Sequence, residues 1–124
     1  AGFLGSPPMN FLKGRVEAQG LVRLSNGAPL AYDAAHFGPP LGLDVVAGVR
    51  PERARPGPDG AGLPFRVELV EELGLGRLVH GHAGDAAFAL ALPAGAAPLS
   101  GEQQLLDIAP GDVHLFDAGT GLRL

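Results

Sequence analysis

Leu43–Glu52, LDVVAGVRPE, is an apolar run with an abrupt stop. Strand alternation puts Leu43, Val45, Ala47 and Val49 on one side and Asp44, Val46, Gly48 and Arg50 on the other. Pro51 has no N–H to give a ladder, so the strand is expected to end before it. Arg50 and Glu52 then stand at a strand end, where a charged pair can clasp a turn or meet a partner protein.

Upstream, Ala1–Met9 carries Gly5, Pro7 and Pro8 and cannot be a long helix; Phe3 and Leu4 are expected to plug the bottom of the domain. Asn10–Ala18 alternates as a strand. Gly20 turns the chain, Leu21–Leu24 is a second strand, and Ser25-Asn26-Gly27 predicts a hairpin whose Asn-Gly pair supplies positive φ angles. Ala28–Tyr32 returns, and Asp33–Pro40 is a loop.

Downstream, the Pro- and Gly-rich stretch 53–62 predicts a flexible boundary between two halves. Phe65–Leu73 is expected to be a strand with Phe65, Val67 and Leu69 on one side; its apolar spacing would also suit a helix, but Pro64 and Gly74 confine it and Val and Phe favour extension. Arg77–Ala83 and Ala86–Leu92 form a hairpin around Gly84-Asp85, and Glu102–Ile108 and Val113–Phe116 follow as strands separated by a Pro110-Gly111-Asp112 turn. Eight to ten short strands and no helix predict an all-β fold of two small barrels packed together.

Composition agrees and excludes several functions. In 124 residues, 46% are hydrophobic, enough for one core; glycine and proline make up about a quarter, and they punctuate alternating runs. The net charge of −4 and the scattered basic residues argue against a nucleic-acid partner. The absence of cysteine removes thiolate metal sites and cysteine nucleophiles, and no apolar run is long enough for a spanning helix.

Several local patterns suggest chemistry and fail on context. Leu99-Ser100-Gly101-Glu102-Gln103 looks like an ATP-binding-cassette signature, and Val113–Asp117 like a Walker B strand. The first should open a helix but runs through Leu105–Ile108 into Pro110, Asp117 lacks a following Glu, and no Gly-rich phosphate loop occurs. His80-Gly81-His82 sets two imidazoles on one strand face, half of a metal site that would need His36, His114 or a carboxylate; surface placement is the plainer reading. Glu68, Glu71 and Glu72 have no nucleophile or base at a motif spacing and fit a solvated or interface face. Ser6, Ser25 and Ser100 lack a nucleophile elbow. The phenylalanines and Tyr32, spread singly among strands, are expected in the core. No catalytic, cofactor-binding or metal-ligating set emerges.

Four runs together resemble maltose-type sugar importer ATPases. Phe3-Leu4-Gly5-Ser6-Pro7 with Met9-Asn10-Phe11-Leu12 resembles the run after their nucleotide-binding domain. Gly48-Val49-Arg50-Pro51-Glu52 resembles their GIRPE motif, and Val67–Glu71 with Leu73-Gly74 the opening of their second small barrel. His114–Asp117 with Thr120-Gly121 resembles their closing HLFD-x-x-TG. Arg53 stands where that family usually has His, and the second half is rich in Gly and Ala around the loop 93–98.

The resemblance implies the C-terminal regulatory domain of an ATP-binding subunit, built from two OB-like TOBE barrels. Residues 1–12 would be the linker from a nucleotide-binding domain that this chain lacks, 13–56 the first barrel and 57–124 the second. LDVVAGVRPE would then be the last strand of the first barrel. ATP and magnesium would bind only in the missing domain, leaving this fragment without catalysis inside a parent transport ATPase. The implied partners are a second copy of the subunit, its own upstream domain, in some members cytoplasmic regulatory proteins, and the membrane subunits through the complex at the inner face of the cell membrane. Asn10, Gly48, Arg50, Pro51, Glu52, Glu71 and Gly74 are the candidate structural or interface residues. A rival reading is an oxyanion-binding barrel, for which no Ser/Thr/Lys-rich nest recurs in both halves.

Overall fold

The computed structural model describes residues 9–35, 38–56, 62–93 and 103–124. The expected Phe3 and Leu4 plug, the signature-like run from Leu99, and His36 lie outside them. Ten strands appear, with 3-10 turns at Pro51–Arg53 and Pro110–Asp112 and no α-helix among the described residues.

The strands are β1 (Asn10–Ala18), β2 (Leu21–Leu24), β3 (Pro29–Ala31), β4 (Asp44–Val49), β5 (Ala54–Pro56), β6 (Leu63–Glu72), β7 (Gly76–Ala83), β8 (Ala86–Pro93), β9 (Gln103–Ile108) and β10 (His114–Asp117). They form two five-stranded antiparallel sheets, in the orders β10-β4-β1-β2-β3 and β5-β9-β6-β7-β8. The all-β, two-barrel expectation holds. Leu12, Val16, Val22, Val45, Ala47, Val49 and Leu115 of the first sheet join Phe65, Val79, Phe88, Leu90 and Leu106 of the second in one hydrophobic core.

The halves exchange strands, which the boundary at residues 56 and 57 does not anticipate. β5 precedes that boundary yet pairs with β9 in the second sheet, and β10 comes at the end of the chain yet pairs with β4 in the first. β4 is therefore flanked on both sides, by β1 and β10, rather than closing a barrel. Part of the expected flexible stretch is ordered pairing: Ala54–Pro56 lies opposite Leu106–Ile108.

Local chemistry explains most boundaries. β4 stops where Pro51 begins a 3-10 turn, and Pro51 is buried there. In the β2–β3 turn only Gly27 has positive φ, at 90°. Gly27 N–H closes on Leu24 C=O at 2.8 Å, and the Asn26 side-chain oxygen accepts the Ala28 N–H at 2.9 Å. This is a turn with a Gly bulge, so Asn26 contributes its side chain and not the expected positive φ.

A bulge between Val67 and Leu69 corrects the reading of β6. Phe65 and Val67 face the core, but the extra residue shifts the phase, and Leu69 pairs with His80 on the outward face. From Glu68 to Glu72 every β6 residue is exposed. The phenylalanines also divide. Phe65 and Phe88 are buried with ring centroids 5.8 Å apart, while Phe11, which is 53% exposed, meets Phe116 on the outer surface.

Candidate functional site

The outer face of the first sheet gathers the most varied chemistry. β1 contributes Phe11, Lys13, Arg15 and Glu17, all exposed. β4 contributes Asp44, Val46 and Gly48, followed by Arg50, which continues the alternation because its backbone is still extended (φ −72°, ψ 144°). β10 contributes His114 and Phe116, opposite Gly48 and Val46 respectively.

The middle of this face is apolar. Phe11 and Phe116 meet edge to face at 6.1 Å beside Val46. With Asp117, Ala118 and Gly121 they line a recess of about 380 Å³. Gly48 keeps the β4 side of the patch low: a Cβ there would collide with the Met9 sulfur and come within 3.2 Å of the Phe116 ring.

Cations flank the patch. At one end Arg123, brought beside β10 by its bridge to Phe116, donates from Nη2 to His114 Nδ1 at 2.7 Å. Partial burial pushes the His114 pKa down, Arg123 and then Arg50 add to this, and Asp112 opposes it. At the other end Arg15 donates to Asp44 at 2.9 Å, and Arg23 donates to both oxygens of Glu17, at 3.1 and 2.8 Å. The Arg23 hydrogen bond holds the Glu17 carboxyl below its ordinary pKa. Among the described residues Lys13, Arg50 and Arg123 have no carboxylate within ion-pair distance.

The second exposed feature is the β6–β7 hairpin. Leu69, Val70, Leu73 and Leu75 are all exposed, Leu75 to 96%. Gly74, at φ 82°, makes the turn. Acids line the arm. His80 Nε2–H donates to Glu71 at 2.5 Å, His82 Nδ1–H donates to Glu68 at 2.9 Å, and Arg77 pairs with Glu72 at 2.8 Å. The two imidazoles, for which surface placement is the plainer reading over half of a metal site, each hold a carboxylate on the surface, and among the described residues no three His, Cys, Asp or Glu side chains converge on a common point.

The candidate residues scatter. Gly48 and Arg50 belong to the outer face, and Glu71 and Gly74 to the hairpin. Pro51 is buried, and Glu52 is exposed in the 3-10 turn. Arg50 and Glu52 form no ion pair with each other among the described residues, so they are not a clasp. Asn10 is buried between the sheets, hydrogen-bonded in both directions to Ala89 of β8. The Walker-like Asp117 caps a turn instead, accepting the Gly119 and Thr120 N–H groups at 2.8 and 3.0 Å. Lys13 and Phe11 were missed; the alternation of β1 places both outward, but their neighbours become visible only once β4 and β10 pair.

Comparison with known proteins gives this geometry a context. Residues 47–116 match the TOBE domain family model, and residues 5–54 match the MalK OB fold domain. The sn-glycerol-3-phosphate import ATP-binding protein UgpC of Jannaschia sp. (strain CCS1) is 43% identical over all of this chain and 34% of its own length. The sulfoquinovosyl glycerol transport ATP-binding protein SmoE of Agrobacterium fabrum is 38% identical over 96% of this chain and 34% of its own. The chain thus spans about a third of the length of these curated relatives. Among solved structures, the cytoplasmic molybdate-binding protein ModG, with molybdate bound, superposes with a TM-score of 0.71 at 18% identity, covering 90% of this chain and 98% of that one. That likeness concerns the fold.

Proposed function

Because this chain belongs to the TOBE domain family, we propose that it is the regulatory and dimerisation region of an ATP-binding subunit of an ABC importer for sugars or related polar solutes. It works by protein contact and carries no catalysis of its own. ATP and magnesium belong to a nucleotide-binding domain elsewhere in the subunit. The region would sit at the cytoplasmic face of the membrane, touching its counterpart in the second subunit, its own nucleotide domain and, through the complex, the membrane subunits.

The observation that carries this reading is the match to importer ATP-binding proteins over the whole chain. The surface supports it: two exposed apolar features edged with charge suit protein contact. Asp117, which ends the Walker-like strand, caps a turn. The oxyanion-binding reading draws on the ModG fold alone.

Calorimetric titration of the chain with Mg-ATP and with molybdate tests the proposal. Neither ligand is expected to give binding heat. Micromolar Mg-ATP binding would overturn it, and saturable molybdate binding would transfer the assignment to the oxyanion reading.

A further inference from the structure

The acidic chain distributes its charge unevenly over its two exposed apolar features. The outer face of the first sheet pairs the Phe11–Val46–Phe116 patch with Lys13, Arg50 and Arg123, cations without a carboxylate partner among the described residues. The β6–β7 hairpin pairs Leu69, Leu73 and Leu75 with Glu68, Glu71 and Glu72, which are held by His82, His80 and Arg77 respectively, so that three carboxylates stand beside one arginine and two imidazoles. The acids of the first feature, Glu17, Asp44 and Asp117, are engaged by Arg23, Arg15 and the Gly119 and Thr120 N–H groups, so that feature keeps a surplus of cations and the hairpin a surplus of acids. Four exposed apolar side chains within seven residues of one hairpin are not the single scattered kind that needs no explanation.

We propose that a second copy of this chain docks its β6–β7 hairpin tip on the outer face of the first sheet. A tip leucine enters the recess of about 380 Å³ between Phe11 and Phe116. The hairpin acids lie toward Arg50 and Arg123. With two-fold symmetry each copy gives one hairpin and one face, so the contact occurs twice and the assembly closes as a dimer. Burial is the first cause of the depressed His114 pKa, and the positive charges of Arg123 and Arg50, which the acids would meet at that end, add to it. This inference rests on the dimerisation proposed above and names the surfaces that make it.

The chain has no cysteine, so engineered cysteines report contacts without background. The single variant Leu75→Cys is mixed with Phe11→Cys, and separately with Lys13→Cys, which alters only an exposed strand position in case Phe11→Cys disturbs packing. Each mixture is oxidised and its mass measured beside the unmodified chain. The expected result is a mixed disulfide between the Leu75 position of one copy and the Phe11 or Lys13 position of another. Arg50→Glu with Arg123→Glu should weaken self-association about 3- to 10-fold, and adding Glu71→Lys and Glu72→Lys should restore it. A dimer that forms disulfides only between two copies of the Leu75→Cys variant, or no disulfide at either face position, overturns this contact and leaves dimerisation standing. A chain that stays monomeric and forms no disulfide overturns both.

Discussion

Asn10 and Ala89 stitch the two sheets together. The Asn10 amide donates to the Ala89 carbonyl and its oxygen accepts the Ala89 N–H, both at 2.8 Å. A side chain on β1 thus imitates the edge of a strand for β8, 79 residues along the chain. Asn10 is the one buried polar residue among those described. Removing its side chain leaves a donor and an acceptor without partners, so Asn10→Ala is expected to cost about 2–4 kcal/mol. Urea unfolding checks this: the midpoint falls, the slope is unchanged and one transition remains.

Close packing makes a second prediction. A Cβ at Gly81 would collide with the Arg66 carbonyl oxygen, which is backbone, and meet the buried Phe65 ring at 2.8 Å. At Gly48 the first obstacle is the flexible Met9 side chain. Gly81→Ala is expected to cost more than Gly48→Ala, with about 1–3 kcal/mol for the latter. Thermal unfolding of the two variants orders them, and the reverse order would contradict the packing described.

Arg50 gives a third. It is exposed and has no ion-pair partner among the described residues, whereas the neighbouring Pro51 is buried. Arg50→Ala should change stability by no more than about 0.5 kcal/mol. Its effect is expected in self-association instead, read from the dimer dissociation constant.

The depressed pKa of His114 predicts a pH dependence. Its folded value lies below the ordinary 6.5, so between the two values the unfolded chain binds more protons and stability rises with pH. As pH falls through 6.5 this contribution is lost, until the folded value is passed. His114→Gln keeps an acceptor for Arg123 but cannot titrate. Urea midpoints at about pH 7.5 and pH 5.5 should therefore differ less in the variant than in the parent chain.

Much of this fold is legible along the chain because its signals are local. Alternation and Pro51 mark β4, Gly84-Asp85 marks the β7–β8 hairpin, and Pro64 with Gly74 correctly favours a strand over a helix for β6. What is not legible is non-local. Nothing in Ala54–Pro56 announces that it pairs with β9, or in His114–Asp117 that it returns to β4. The β6 bulge changes which side Leu69 faces without a Gly or Pro to signal it. The role of Asn10 depends on a backbone partner that no side-chain pattern encodes. The familiar motif residues are visible as letters, but only the pairing separates those that pack, such as Asn10 and Pro51, from those that face outward, such as Arg50.

Sedimentation equilibrium of the unmodified chain, alone and with Mg-ATP or molybdate, tests the assignment as a protein-contact module most directly. A reversible monomer–dimer equilibrium with the same dissociation constant under all three conditions is the predicted result. A strict monomer up to about 1 mM, where association would be worth no more than about 4 kcal/mol, or assembly that appears only with molybdate, would contradict it.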